Sequence, residues 1–210
     1  MDFRLLLMTG GDIPIPTLGL TLHQPRISEI AMMGEKDFFV GAQLLCVDKN
    51  LYIQDKSVLS QTTNFQIFMT IIKEKTETDK KAAVIQLLSI LFPLYQVIFT
   101  PRALMLNKAE EMITIDENNF KELQIVVKQA LCLGKASKDS FNPANAAAKA
   151  IAEKLMRGRQ RVAAERGEAD ASIFTQYLSI LTIGLHSMSL KDLVELTIFQ
   201  MYDLIERYML

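Results

Sequence analysis

Two histidines, His23 and His186, are the side chains that could act as a base near neutral pH. An imidazole can take and return a proton at this pH, and catalysis would need it beside a nucleophile or a metal ion. His23 lies in the turn-rich segment LHQP, and His186 ends a helical pattern. Neither segment brings a nucleophile to a recognisable spacing from its histidine. We therefore interpret both as structural histidines.

The remaining residue types that carry chemistry are equally uninformative about a reaction. Cys46 and Cys132 lie in the apolar segments LLCV and ALCLG, which is typical of reduced, buried thiols rather than of a disulfide or a metal site. The glycines at positions 10 and 11 precede DIPIP and not a helix, so they form no phosphate-binding loop. No C-x-x-C, H-E-x-x-H or G-x-S-x-G motif occurs. We predict no enzyme, no cofactor and no catalytic or metal-binding residue.

The composition is that of an ordered globular protein with almost no net charge. Half of the 210 residues are apolar, 22% are charged, and the formal net charge is −1. Such a chain buries a core and has no overall field that would attract nucleic acid or an anionic membrane. The longest apolar stretch, residues 84–99, is interrupted by Gln86, Pro93 and Gln96 and is too short to span a bilayer. We expect a soluble protein inside the cell that makes it, with no membrane partner, and any nucleic-acid binding would have to be local.

Apolar periodicity predicts an α+β fold that is predominantly α-helical, with small N-terminal and central β elements and a C-terminal helical bundle. The apolar runs FRLLLM and LGLTLHQP, separated by TGGDIPIP, indicate short strands. Asp116 is a good N-cap for a helix from Glu117 to about Leu133. Further helices are predicted at residues 25–34, 36–46, 63–74 and 79–92, and short strands at 95–100, 102–106 and 112–115.

The last third of the chain is predicted to be helical. KASKDSFNPAN is the best linker candidate, so we divide the chain into a mixed α+β domain, residues 1–134, and a helical subdomain, residues 135–210. The subdomain would hold a long helix, residues 143–166, and two further helices, residues 171–186 and 190–209. Ser189 and Asp192 form a capping-box pattern at the start of the last one.

Two surfaces of this subdomain could bind a partner. Arg157 and Arg161 lie with Lys154 on one face of the long helix, which could dock acidic protein or a nucleic-acid backbone. Because no aromatic residue is interleaved there to stack on bases, we favour a solvated face paired with Glu153 and Glu165.

The last helix is apolar on more than one side. Phe199 and Tyr202 lie on one edge and Leu204 on the other. The helix is then either central to the bundle, which we favour, or also meets a partner chain. The sequence leaves homo-oligomerisation open.

Three passages, LHQPRISEIAMMGEKDFFVGAQLL, NPANAAAKAIAEKLMRGRQRVA and LVELTIFQMYDLIERYML, follow one another from the first quarter of the chain to its last residues. Together they resemble a group of small proteins from the tail modules of phages of Gram-positive bacteria, the tail assembly chaperone-like proteins. The shared pattern is one of helix starts, apolar stripes and a terminal LTxxQxYDxxER signature, and it contains no catalytic motif.

The resemblance implies a protein-binding factor in the host cell cytoplasm. Its partners would be the phage tape-measure protein, which it would chaperone, and tail tube subunits, which it would recruit. Arg157, Arg161, Phe199, Tyr202 and Leu204 are then the partner-binding candidates. Two alternatives remain open at this point: a structural virion subunit of the baseplate, tail hub or head-to-tail adaptor, and a small host enzyme or nucleic-acid binder.

Overall fold

The structure, a computed structural model, describes residues 2–74, 78–109, 111–133, 172–185 and 188–209. It is α+β and predominantly helical, with two small antiparallel sheets, as predicted. The strands are β1 (Ile13–Ile15), β2 (Leu20–Leu22), β3 (Gln96–Phe99), β4 (Leu104–Lys108) and β5 (Glu111–Ile115). The helices are α1 (Phe3–Thr9), α2 (Ile27–Met33), α3 (Glu35–Leu45), α4 (Lys49–Tyr52), α5 (Lys56–Gln61), α6 (Asn64–Lys73), α7 (Thr78–Leu91), α8 (Phe120–Ala130), α9 (Ile173–Gly184), α10 (Leu190–Val194) and α11 (Ile198–Met209).

The centre of the molecule is the pair α3 and α7, which pack at close range. A Cβ atom at Gly41 would lie 2.8 Å from the Ala83 carbonyl oxygen, closer than any real Cβ contact. Glycine is therefore required at this crossing, since it lets the two helix backbones approach. Phe38, Val84 and Leu87 are fully enclosed beside it.

The second sheet, in the order β3-β4-β5, covers one side of this core. Leu104 pairs with Phe99 on one neighbouring strand and with Ile115 on the other, so the three side chains share a face. Leu104 and Ile115 are completely buried. The predicted central strands are confirmed, and so are the helices that correspond to α2, α3, α6 and α7.

The prediction of a strand at FRLLLM is wrong, because these residues form α1. The Asp2 carboxylate accepts hydrogen bonds from the backbone N–H groups of Arg4 and Leu5, and Gly10, at φ 69°, closes the last turn. These are the capping interactions that make a seven-residue helix viable. The N-terminal β prediction is confirmed only for the hairpin β1–β2, in which Ile13 pairs with Leu22 and Ile15 pairs with Leu20.

The predicted single helix at residues 190–209 is also wrong. The Ser189–Asp192 capping box is present, but α10 ends at Val194 and a second helix, α11, begins at Ile198. Thr197 and Gln200 cap α11: the Gln200 amide oxygen accepts from the Thr197 N–H at 2.9 Å, and the Thr197 hydroxyl accepts from the Gln200 N–H at 3.3 Å.

The start of α8 lies later than predicted, and the short helices α4 and α5 were missed. Asp116 organises a turn by accepting the Asn118 N–H at 2.8 Å, and the helix itself begins at Phe120. Asp48 and Asp55 cap α4 and α5.

The C-terminal helices pack on the N-terminal elements. Arg26 and Thr197 form a β-bridge, and the Arg26 guanidinium contacts the Glu195 carboxylate at 2.7 Å. Phe174 of α9 stacks on Phe39 of α3 with ring centroids 5.5 Å apart. The predicted linker and long helix, residues 135–166, lie outside the described residues, so the division at residue 134 stays a prediction.

Candidate protein-binding groove

The residues predicted to bind a partner fall into two groups. Arg157 and Arg161 lie outside the described residues. Phe199, Tyr202 and Leu204 are on α11, where Phe199 is only 8% exposed and the other two are half-buried. The chain itself therefore covers most of this helix face, which agrees with the interpretation of α11 as a central helix of the bundle.

Tyr202 shows how closely α11 is packed. Its ring meets the Tyr177 ring edge to face, with centroids 5.6 Å apart. Burial, assisted by the neighbouring ionisable groups of Tyr177, Cys132 and Glu35, raises the pKa of Tyr202 to about 12. The hydroxyl thus stays neutral over the physiological range, and the residue serves as a packing element of the bundle.

Phe199 lies at the edge of a cavity of about 470 Å³ between three helices, which we call the groove. Such a volume falls in the range of sites that hold a small ligand or a few side chains of a partner. One wall is α1, a second is the end of α8 with the residues that follow it, and a third is α11. Its lining residues are Phe3, Arg4, Leu7, Lys128, Gln129, Cys132, Leu133, Phe199 and Glu206.

Gln200 joins the α1 wall to α11. Its side-chain amide nitrogen donates to the Met8 carbonyl oxygen at 2.8 Å, while its amide oxygen caps Thr197. A Cβ atom at Gly10 would lie 3.2 Å from that amide nitrogen, so the glycine leaves room for the contact as well as turning the chain. Gln200 therefore links the end of α1 to α11.

Gln124 fixes the α8 wall. It is 3% exposed and donates to the carbonyl oxygens of Leu45 and Val47, both at 3.0 Å. Its amide oxygen accepts from the Asn64 side chain at 3.0 Å. This buried polar group is fully paired, so it ties α8 to the end of α3 and to the start of α6.

The groove has an apolar floor and a mainly cationic rim. Phe3 and Leu133 supply half-buried apolar surface, and Leu7 and Phe199 line the groove but are only 5% and 8% exposed. Within the described residues, neither the Arg4 nor the Lys128 side chain is paired with a carboxylate. Glu206 is the acid among the lining residues. Such a site suits one or two apolar side chains of a partner that carries carboxylates beside them.

The groove includes residues that the sequence analysis did not single out. Phe3 and Leu7 are four apart and share one face of α1, but the wrong strand assignment hid this spacing. Cys132, at φ 54°, adopts a left-handed conformation that carries the chain out of α8 along the groove. No local pattern predicts that these segments meet Phe199.

The residues considered for catalysis have structural contacts. The His23 ring nitrogens lie 3.2 Å from Asp12 and 3.1 Å from Glu29, so both are occupied by carboxylates. Burial raises the pKa of the Cys46 thiol to about 12, against a smaller opposing effect of Lys128, and this keeps it protonated and unreactive. His186 lies outside the described residues. Cys46 and Cys132 form no disulfide.

Among the described residues, no three His, Cys, Asp or Glu side chains are grouped so that they could hold a metal ion. None of the described helices combines the length and apolarity needed to cross a membrane. Comparisons of the chain with family models, with curated proteins and with solved structures gave no match.

Proposed function

We propose that this chain is a non-enzymatic protein-binding factor of phage tail assembly, which chaperones the tape-measure protein and recruits tail tube subunits in the host cytoplasm. The phage origin and the two partners come from the resemblance of its three passages to tail assembly chaperone-like proteins. The groove is the observation that carries the binding role, because it combines apolar lining residues with two cations, Arg4 and Lys128, that pair with no carboxylate among the described residues.

The physical requirements of the task agree with such a groove. A tape-measure protein is a long helical chain whose apolar stripe must be masked until the tube forms around it. An amphipathic helix binds by inserting apolar anchors into a preformed groove, and charged residues at the rim fix its register. Phe3 and Leu133, which are half-buried, would contact the anchors, and Arg4 and Lys128 would meet carboxylates on the flank of the helix.

Reversing the charge of the rim tests this proposal. Arg4→Glu combined with Lys128→Glu should retain the circular dichroism of the wild type, because Arg4 is exposed and Lys128 half-buried. Recovery of the co-expressed tape-measure protein should fall by about tenfold or more. Lys121→Glu, an exposed position on the same helix as Lys128, is the matched control and should retain recovery. Equal recovery with both variants would exclude the groove as the binding site.

A second variant addresses the basic residues outside the described part of the chain. Arg157→Glu with Arg161→Glu should leave the helical signal intact and abolish co-purification with the tape-measure protein. If the protein still co-purifies, these two arginines do not belong to the binding surface.

Mass spectrometry of purified phage particles separates a chaperone from a structural subunit. An assembly chaperone leaves before the virion matures, so its peptides should be missing from particles and present in infected-cell extracts. Detection in fixed copy number would refute the chaperone role and support a baseplate, tail-hub or adaptor subunit.

A further inference from the structure

The strand β5 forms an edge of the second sheet. The sheet order β3-β4-β5 gives β5 one neighbouring strand, and among the described residues no element other than β4 packs extensively against it. The backbone N–H and C=O groups on the outer side of an edge strand can pair with another extended chain. Which groups of β5 lie on that side follows from the register of the sheet.

The alternation of backbone direction identifies the outward residues of β5. In an antiparallel sheet each residue directs its N–H and C=O to one side, and the next residue directs them to the other. The Thr100 N–H donates to the Ala103 carbonyl oxygen at 2.9 Å, so Ala103 bonds towards β3. Leu104 then bonds towards β5, where it pairs with Ile115. Every second residue of β5, counted from Ile115, is therefore bonded to β4, and the residues between them direct their backbone groups outward.

The outward residues are Met112 and Thr114, and Asn119 confirms their direction. The Asn119 side-chain amide donates to the Thr114 carbonyl oxygen at 2.9 Å and accepts the Asp116 N–H at 2.8 Å, so it covers the outer side of the chain where the strand ends. No described residue pairs with the Met112 N–H, the Met112 carbonyl oxygen or the Thr114 N–H. Met112 is 59% exposed, and Thr114 is exposed as well. Three backbone groups of this edge are thus available to a partner.

Acidic residues lie at both ends of the edge. The segment AEEMITIDEN, residues 109–118, carries four acids and no base. Among the described residues, none of Glu111, Asp116 and Glu117 forms an ion pair with a lysine or an arginine. Lys108, opposite Glu111 in the hairpin, lies over the Tyr95 ring, 5.7 Å from its centroid. Basic residues at the ends of a paired chain would therefore meet carboxylates that have no cationic partner.

The outer face of the sheet beside this edge carries no charge. Residues opposite each other in the register share a face, and so do residues two apart on one strand. The side chains on the outer face are those of Gln96, Ile98, Met105, Asn107, Met112 and Thr114. The two methionines are flexible and can adapt to apolar side chains of different shapes. A strand added to β5 would place every second side chain beside Met112 and Thr114 on this face.

We propose that the edge of β5 binds an extended segment of another protein as an added strand, with β-branched residues at its centre and basic residues at its ends. Main-chain hydrogen bonds to Met112 and Thr114 hold the segment, and its alternate side chains pack beside Met112 on the uncharged face. The edge lies on a different element from the groove, so the proposal does not depend on the binding role proposed there. Three hydrogen bonds and a short contact give a weak complex, with a Kd of about 10 to 200 µM.

Hydrogen exchange and a peptide titration of the isotope-labelled full-length chain test this proposal by NMR. In the free chain the amides of Met112 and Thr114 should exchange at least about tenfold faster than those of Ile113 and Ile115, which are bonded to β4. The probe, acetyl-KTVTVTK-amide, should shift the Met112 and Thr114 signals and slow their exchange. The control peptide acetyl-ETVTVTE-amide, with the same centre and acidic ends, should bind about tenfold or more weakly. Unshifted signals at about 2 mM probe, or equal affinity for both peptides, would overturn the proposal.

Proline at position 112 separates the contribution of the backbone from that of the side chain. Met112→Pro removes an outward N–H that the fold does not use, so the variant should keep the circular dichroism and the urea midpoint of the wild type. It should bind the KTVTVTK probe about tenfold or more weakly. Met112→Ala keeps this N–H, so it is the matched control and should bind within about threefold of the wild type. Thr114→Pro removes the second outward N–H and should behave like Met112→Pro.

The proline variants can contradict the proposal in two ways. Normal probe binding by a folded proline variant, or equal losses in Met112→Pro and Met112→Ala, would show that the backbone of β5 does not pair with the peptide. Unfolding of both proline variants would show that the N–H groups of Met112 and Thr114 are used within the fold and do not point outward.

Discussion

Replacing Gln124 by Met should destabilise the fold strongly, although it keeps the length of the side chain. The substitution leaves the Leu45 and Val47 carbonyl oxygens and the Asn64 side-chain nitrogen without the partners that each now has at 3.0 Å. Each lost hydrogen bond costs about 1 kcal/mol, and more where water cannot replace it. Because Gln124 is 3% exposed, we expect a total of about 3 to 5 kcal/mol.

The assay is urea unfolding followed by circular dichroism, with Gln86→Met as the control. Gln86 lies exposed on α7, so the same change there should shift the free energy of unfolding by less than about 0.5 kcal/mol. A loss below about 1 kcal/mol for Gln124→Met would refute the view that this amide holds α8 in place. Lys128 and Cys132 follow one and two turns later on the same wall, so the variant should also weaken partner binding.

Three further predictions concern the surroundings of the groove. Gln200→Met should lower the free energy of unfolding by about 1 to 2 kcal/mol in urea titrations, because it removes the hydrogen bond to the Met8 carbonyl and the cap on Thr197. An unchanged free energy of unfolding would mean that packing alone holds α1. The Cys46 thiol, with its pKa raised from 9.0 to about 12, should react with a thiol reagent at least about tenfold more slowly than in the unfolded chain, and equal rates by mass spectrometry would contradict the desolvation of this half-buried thiol. The pKa of Tyr202 is raised from 10.0 to about 12, so the unfolded chain loses this proton first. The stability contributed by the neutral hydroxyl is present below pH 10 and lost as the pH rises towards 12, and Tyr202→Phe should flatten this alkaline decline in unfolding experiments.

Elements with a clear local pattern could be predicted from the sequence. The helices α6 and α7 show apolar residues three and four apart over at least ten residues, and a polar run separates them. The strands β3 to β5 are β-prone runs divided by Pro101 and by a polar turn. In these segments the apolar periodicity and the turn residues predict the same type of element, so helix and strand can be told apart.

The two wrong predictions concern segments in which capping interactions, and not apolar periodicity, decide where a helix begins and ends. FRLLLM has no helical stripe long enough to recognise, and the deciding residues were Asp2 and Gly10 at its ends. Apolar residues keep a spacing of three and four across the break between α10 and α11, so spacing alone gives no sign of the Thr197–Gln200 cap.

The candidate site depends on contacts that no local pattern contains. Phe199 lines the groove but is only 8% exposed, and its role in binding stays a prediction. Arg4 and Lys128 could not be chosen in advance, because their proximity to Phe199 results from the packing of α1, α8 and α11. The packing of these helices depends on contacts throughout the core and not on the helix propensity of each segment.

The link between Gln200 and the Met8 carbonyl joins residues 192 positions apart. During synthesis the amino-terminal helix emerges long before the segment on which it rests, and contacts of such high sequence separation form late. The groove can therefore be completed only after residues 198–209 have left the ribosome. A nascent chain would expose Phe3 and Leu7 to solvent until α11 has folded against α1.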